Sequence, residues 1–173
     1  MTAEPDRLDR IQQAWARERP ELDVSPQGVI GRLHRVGLHL TDELVAVYRR
    51  HGLGEGDFDV LATLRRAGAP YERTPGDLAE NTLVTSGAMT KRVDRLEKAG
   101  LVTRRPSEHD GRGRVVALTA EGIRVFDAAF TDHIANEHRL VSALSPAEAR
   151  QLEELLRRWL AHFEAPPAAT GER

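Results

Sequence analysis

The residues of this chain best suited to bind another molecule are cations gathered in one stretch. Residues 85–114 hold eight lysines and arginines against four acidic residues, a local charge of +4 in a chain whose formal net charge is −2. Guanidinium and ammonium groups bind phosphate oxygens, and the local field matters more for that contact than the total charge. The stretch therefore predicts a DNA partner. The alternative is an ordinary solvated helix face with ion pairs such as Asp94 with Lys98.

The elements that carry these cations follow one another in an informative order. A short helix is predicted over 75–80 and a second over 86–98, which Gly100 ends in a left-handed C-cap. Two β-prone runs follow, 101–105 and 114–118, joined by a glycine-rich turn. Helix, turn, helix and hairpin in this order predict a winged helix-turn-helix. Its second helix would enter the DNA major groove while the hairpin lies along the backbone.

The arginines of the hairpin are difficult to explain by folding alone. The turn spans 109–113, and arginines beside it gain nothing for the hairpin but suit insertion into a narrow, electronegative minor groove. We expect six side chains to contact DNA, four on the second helix and two at the wing: Ser86, Thr90, Lys91, Arg95, Arg112 and Arg114.

Two sequence signatures accompany this arrangement. Residues 110–119 contain the pattern D-x-R-x-x-x-V-x-L-T, and residues 96–102 read LEKAGLV; the run TSGAMT over 85–90 opens the second helix. In these signatures the chain resembles the MarR family of transcriptional regulators, and the resemblance covers roughly residues 28–163. The tip Arg112-Gly113-Arg114 departs from the consecutive arginines more usual in that family.

The resemblance implies a fold and an assembly. The expected fold class is mainly α (α+β), with a winged helix-turn-helix over 55–119 and dimerisation helices over 5–50 and 121–163, all within a single domain, 1–163. It also implies an obligate homodimer whose two lobes reach one palindromic operator in double-stranded DNA, with repression relieved by a ligand as the usual mode of action.

Length and composition agree with one compact domain. A chain of 173 residues buries a sizeable core, and the absence of cysteine excludes disulfides and thiol redox switches and suits a reducing cytoplasm. No apolar run is long enough to span a membrane, and residues 1–5 do not read as a signal peptide. We therefore expect a cytoplasmic protein without a membrane partner, in which residues 164–173 form a disordered tail.

Outside the basic stretch, apolar residues recur at the spacing of amphipathic helices. A capping box at Ser145, with Pro146 in the first helical position, opens the last helix. Its apolar face is too large for a lone surface helix, so we expect it to pair with the N-terminal helices of a second copy; the alternative is packing within one chain. The spaced residues are Leu8, Ile11 and Trp15; Ile30, Leu33, Val36 or Gly37, Leu40, Leu44 and Val47; Phe58, Leu61 and Leu64; Val125, Ala129, Ile134 and Leu140; and Leu152, Leu155, Leu156, Trp159, Leu160 and Phe163.

The resemblance also points to a small-molecule effector. MarR-like regulators commonly bind small anionic or phenolic ligands between the dimer core and the winged lobe. Their urate-responsive branch adds an extra N-terminal helix with a tryptophan, together with an aspartate and two arginines. This chain has corresponding residues in Trp15, Asp59, Arg92 and Arg104, with Asp57 close enough to be the acid instead.

The chemistry of these four residues is coherent in itself. Two guanidiniums present planar forks to an anion, and Trp15 offers a flat surface on which a heterocycle can stack. Asp59 would hold the arginines until a urate, another purine or an aromatic carboxylate competes for them. Because Arg92 is on the DNA-reading helix, ligand binding would displace that helix. The alternatives are phosphate contacts for Arg92 and Arg104, a core role for Trp15 and a plain salt bridge for Asp59.

Two other functions compete with this hypothesis, besides a MarR-like regulator that needs no ligand. Zinc sensing would need three or four converging ligands, and the sequence supplies only scattered candidates. Enzymatic motifs are absent, and no base accompanies the hydroxyl of Ser86, so we expect neither an enzyme nor a cofactor or metal. The candidates for zinc are His34, His39, His109, His133, Glu137 and His138.

Overall fold

The computed structural model describes residues 4–82, 86–106 and 114–164, with the backbone alone for 86–88. Within these residues the fold is mainly helical with a small sheet, as the sequence predicts. The elements are α1 (Arg7–Glu18), α2 (Pro26–Arg50), α3 (Glu55–Arg66), β1 (Glu72–Arg73), α4 (Pro75–Glu80), α5 (Ser86–Lys98), β2 (Val102–Pro106), β3 (Arg114–Leu118), α6 (Ala120–Val141) and α7 (Pro146–Glu164).

Local signals in the sequence account for several helix ends. The hydroxyl of Thr74 accepts a hydrogen bond from the Asp77 backbone N–H at 3.1 Å, which caps α4 with proline in its first turn. The predicted capping box of α7 is also present, because the Ser145 backbone N–H donates to Glu148 at 2.8 Å. Gly100 has a φ of +73°, which confirms the left-handed residue expected after α5.

The sheet has three antiparallel strands in the order β1-β3-β2. The predicted hairpin is confirmed as β2 and β3, whose register pairs Thr103 with Ala117. The short strand β1 was not predicted, because two residues give no alternating pattern; Glu72 pairs with Ala117 on the other side of β3. The turn expected at 109–113 lies outside the described residues.

The described residues divide into two compact units, one that ends at His133 and one that begins at Ile134. The first unit contains the hydrophobic core, which α3 crosses with Val60, Leu61 and Leu64 fully buried. Helix α5 and the first part of α6 contribute Leu96 and Ala129 to the same core. Burial of these side chains supplies the main stabilisation of the unit.

The first unit also holds α1 against α2. Arg32 of α2 forms ion pairs with Asp6 at 2.9 Å and with Asp9 at 2.7 Å, and the amide of Gln12 donates to the Val24 carbonyl at 3.0 Å. Trp15 of α1 is 46% exposed. Helix α1 is therefore held by polar side chains and by the buried Leu8, with its tryptophan on the surface.

The second unit contains the end of α6 and the whole of α7. None of the side chains of α7 is buried, and Leu155 and Phe163 are 47% and 69% exposed. The tail expected over 164–173 lies outside the described residues except for Glu164, which ends α7. No helix in the described residues has the length and apolar character needed to cross a membrane.

Candidate nucleic-acid interface and effector site

Helix α5, the second helix of the helix-turn-helix and thus its recognition helix, presents one face to the core and another to solvent. Met89, Val93 and Leu96 are buried, at the three- and four-residue spacing of one helix face. Thr90 and Lys91 consequently lie on the exposed side. This orientation gives the winged lobe a polar, basic surface along α5.

The residues predicted to contact DNA are only partly within the described structure. Thr90, Lys91 and Arg95 are exposed on α5, and Arg114 is exposed at the start of β3. The structure thus brings the three α5 residues to one surface of one helix. Ser86 begins α5, but its side chain lies outside the described part of the chain, as does the whole of Arg112.

Arg95 already has a protein partner in Asp57 of α3. The Arg95 guanidinium donates to the Asp57 carboxylate at distances of 2.5 to 3.1 Å. Asp57 is only 4% exposed, and it also accepts a hydrogen bond from the Gly54 backbone N–H at 2.9 Å. One buried carboxylate therefore caps α3 and ties α5 to it, a role that the sequence analysis did not give to Asp57.

Arg92 reaches back from α5 onto α3, where its guanidinium lies over Gly56. A β-carbon at position 56 would overlap the guanidinium, so only glycine permits this approach. The Nη1 atom of Arg92 is buried and has no hydrogen-bond acceptor among the described residues. A buried charged donor without an acceptor is costly, and it marks a place where an acceptor would be stabilised.

Asp59 lies in the electric field of Arg92, one turn along α3 from Gly56. The carboxyl keeps an exposed edge, yet partial burial, together with the neighbouring charge of Glu55, raises its pKa. The positive charges of Arg92 and Arg66 oppose that increase without cancelling it. Asp59 and Arg92 are thus the two predicted effector residues that the structure brings together.

Arg104 has a different environment. Its guanidinium donates to Asp94 at 2.5 Å and also to Glu97, and its backbone N–H donates to Glu97 at 3.1 Å. Both acids belong to α5, so Arg104 ties strand β2 to the recognition helix. In the described residues no hydrogen bond, ion pair or ring contact joins Trp15 or Arg104 to Asp59 or Arg92.

A cavity of about 560 Å³ adjoins Asp59, and aromatic rings form its walls. Tyr48 and Phe58 stack with their ring centroids 4.1 Å apart, and the ring of His133 lies 5.0 Å from that of Phe58. The Tyr48 hydroxyl and His133 Nδ1 are 3.2 Å apart and share a hydrogen bond. Flat apolar walls with a few polar groups at the edge suit a planar ligand.

Comparison with known proteins defines the family. Residues 51–113 match the model of the MarR family. Over 153 residues the chain is 40% identical to the HTH-type transcriptional regulator PecS of Dickeya dadantii, an alignment that covers 88% of this chain and 92% of PecS. The chain belongs to the MarR family.

Solved structures agree with this assignment. This MarR-family chain superposes on AbsC, a MarR family transcriptional regulator from Streptomyces coelicolor, with a TM-score of 0.74 at 25% identity, covering 84% of this chain and 98% of AbsC. It superposes on a mutant of MarR from E. coli, complexed with operator DNA, with a TM-score of 0.67 at 28% identity, covering 79% of this chain and 95% of that one. The predicted family and fold class are confirmed.

The aromatic cavity of this MarR-family chain was missed from the sequence. In the sequence, Phe58 has the pattern of an ordinary core residue, and His133 is only a candidate zinc ligand. The signal available was the spacing of Phe126, Phe130 and His133, which share one face of α6. Among the described residues, no three His, Asp or Glu side chains are grouped so as to hold a metal ion.

Proposed function

We propose that this MarR-family transcriptional regulator binds a palindromic operator in double-stranded DNA and represses transcription from it. Support comes from the exposed, basic side of α5, which carries Thr90 and Lys91, and from the basic residue Arg114 at the base of the wing. A related protein, MarR of E. coli, has been solved with operator DNA. We retain Ser86, Arg95 and Arg112 as further proposed DNA contacts.

We propose that the chain acts as a homodimer, in which the exposed apolar faces of α2 and of α7 each contact a second copy. The support is the amount of apolar surface that one chain leaves exposed, since soluble monomers rarely expose such faces. This surface is spread over α2 and α7. Its members include Val29, Ile30, Leu33, Val36 and Leu38 on α2 and Leu152, Leu155, Leu156, Leu160 and Phe163 on α7.

We further propose that a small planar anion releases the regulator from DNA. The observation that carries this proposal is the buried Nη1 atom of Arg92 without an acceptor, on the same helix that reads DNA. An oxyanion next to Asp59 would supply the acceptor, and the aromatic cavity would receive the rest of the ligand. Urate, another purine or an aromatic carboxylate has this combination of flat ring and anionic edge.

The energy required sets a scale for this mechanism. To change a regulator from almost fully DNA-bound to almost fully released, the ligand must bind the released conformation more tightly than the DNA-bound one. The difference in binding free energy has to be about 5.5 kcal/mol. Hydrogen bonds to charged groups contribute about 1.5–3 kcal/mol each. A new hydrogen bond from Arg92 to the ligand therefore supplies part of this preference, whereas Arg104 adds only the difference between its bonds to the ligand and those to Asp94 and Glu97.

Arg104 and Trp15 have defined tasks in this proposal. Arg104 can join Arg92 at the anion only by exchanging Asp94 and Glu97 for the ligand, which would loosen β2 from α5. Trp15 would have to cover the ligand as α1 or a second copy closes over it. Ligand binding would in this way change the angle between the wing and the recognition helix.

A DNA-release titration tests the effector proposal. We expect urate or xanthine to lower operator binding by wild type, measured by fluorescence anisotropy, and to have little effect on Arg92→Gln. Gly56→Ala, which displaces the guanidinium without deleting it, should reduce the response as well. Lys98→Gln, an exposed change on the same helix, is the matched control.

The alternatives give different results. Equal release of wild type and Arg92→Gln would remove Arg92 from the effector site. Operator binding that is indifferent to purines, aromatic carboxylates and zinc would identify a ligand-independent regulator and leave the DNA-binding proposal intact.

A further inference from the structure

The carboxyl end of α3 borders a small cavity of about 290 Å³, which adjoins the aromatic cavity and shares Thr63, Arg66 and Asn81 with it. Five residues line it: Thr63, Arg66, Ala67, Arg73 and Asn81. Two are arginines and none is acidic. Two guanidiniums facing one cavity without a carboxylate repel each other, and an anion between them would remove that repulsion.

Asp127 and Glu72 each form an ion pair with another arginine. Arg65, which precedes Arg66, pairs with Asp127 at 2.9 Å. Glu72, which precedes Arg73, pairs with Arg105 at 2.5 Å across the sheet. Neither Arg66 nor Arg73 forms an ion pair with any described residue, although Arg66 feels the charge of Asp59.

Polar groups around the cavity hold these side chains in place. Nη2 of Arg66 donates to the hydroxyl of Thr63 at 3.2 Å, and Thr63 is only 5% exposed. The amide of Asn81 donates to the Asp77 carbonyl at 2.7 Å, which fixes Asn81 at the end of α4. Arg66 is thus oriented by a buried hydroxyl, with further N–H groups left for a ligand.

We propose that this cavity is an oxyanion-binding site in which Arg66 and Arg73 bind one phosphate or carboxylate group. Guanidinium forks match such groups with two parallel hydrogen bonds. The oxyanion has two possible sources, a free anion in solution or a phosphate of the DNA backbone. The site does not include Arg92, and its test measures inorganic phosphate binding and the salt slope rather than the purine response, so its failure is distinguishable from failure of the effector proposal.

The experiment has two arms and uses the full chain. The first measures binding of inorganic phosphate by titration calorimetry, with chloride replacing phosphate to keep the ionic strength constant. The second measures how operator affinity falls with salt, since each phosphate contact contributes about one unit to the logarithmic slope. The variants are Arg66→Gln, Arg73→Gln and both together. Arg65→Gln removes the same charge from the neighbouring position, where Asp127 already compensates it.

A free-anion site predicts saturable phosphate binding by wild type and Arg65→Gln, at least a tenfold loss in the double variant, and an unchanged salt slope. A DNA-phosphate site predicts a salt slope smaller by about one unit in the double variant but not in Arg65→Gln. Phosphate binding and salt slope both unchanged in the double variant would overturn the proposal. Because both arginines are exposed, we expect the variants to fold, with circular dichroism spectra matching wild type.

Discussion

At the scale of single residues, the Asp57–Arg95 pair links the recognition helix to α3. Arg95→Ala would leave the buried Asp57 carboxylate with the Gly54 N–H as its remaining described partner. Losing the partner of a buried acceptor costs about 1–3 kcal/mol, so we expect the urea midpoint to fall accordingly. Lys98→Ala, on the same helix, should leave it nearly unchanged.

The same variant also tests whether Arg95 contacts DNA. If it binds a phosphate, Arg95→Ala reduces the salt slope of operator binding by about one unit. If the Arg95 side chain instead stays paired with Asp57, the salt slope stays constant while operator affinity falls. Asp57→Asn then gives a similar loss of operator affinity. Wild-type stability in Arg95→Ala would show that the ion pair contributes nothing to the fold.

Asp59 gives a prediction about pH. Its pKa is raised, mainly by burial, so the folded state favours the protonated carboxyl. The associated stability is fully present below the unfolded pKa and is lost as pH rises through the raised folded value. Asp59→Asn should therefore be more stable than wild type at neutral pH, with the difference vanishing at low pH.

Asp23 provides a control of opposite sign for that measurement. Hydrogen bonds from the Ser25 backbone N–H and hydroxyl lower the pKa of Asp23, so its stabilisation is present at neutral pH and is lost as pH falls through the lowered value. Asp23→Asn should lose stability at neutral pH. If denaturation curves showed Asp59→Asn to be less stable than wild type at neutral pH, the raised pKa of Asp59 would be contradicted.

At the scale of elements, the helices follow from local patterns and the sites do not. Thr74, Ser145 and Gly100 mark helix ends with side-chain hydrogen bonds or a left-handed φ, and such signals are readable in the chain itself. By contrast, the position of Arg104 against Asp94 and Glu97 depends on the angle at which β2 leaves α5. No local spacing encodes that angle, so a residue expected to bind a ligand is found holding two elements together.

Arg104 therefore yields an element-scale prediction about the wing. Arg104→Ala removes the ties from β2 to two acids of α5, and we expect weaker operator binding because the wing is no longer held at a fixed angle to the recognition helix. The salt slope should change little, since no phosphate contact is lost. Arg105→Ala, which instead removes the pair with Glu72 of β1, is the comparison. A smaller salt slope for Arg104→Ala would assign it a phosphate contact.

At the scale of the whole molecule, the exposed apolar face of α7 requires a partner. A charge placed on that face would have to be buried in a dimer, so Leu155→Glu should dissociate the homodimer in sedimentation experiments and abolish tight binding to the full palindrome. Residue Leu155 is 47% exposed in one chain, so the core around α3 should be unaffected. Arg150→Glu, an exposed polar position on the same helix, should remain a dimer. A dimeric Leu155→Glu would indicate instead that this face packs within its own chain. That outcome would move the dimer contact to the apolar surface of α2, where Val36→Glu would then be the dissociating change.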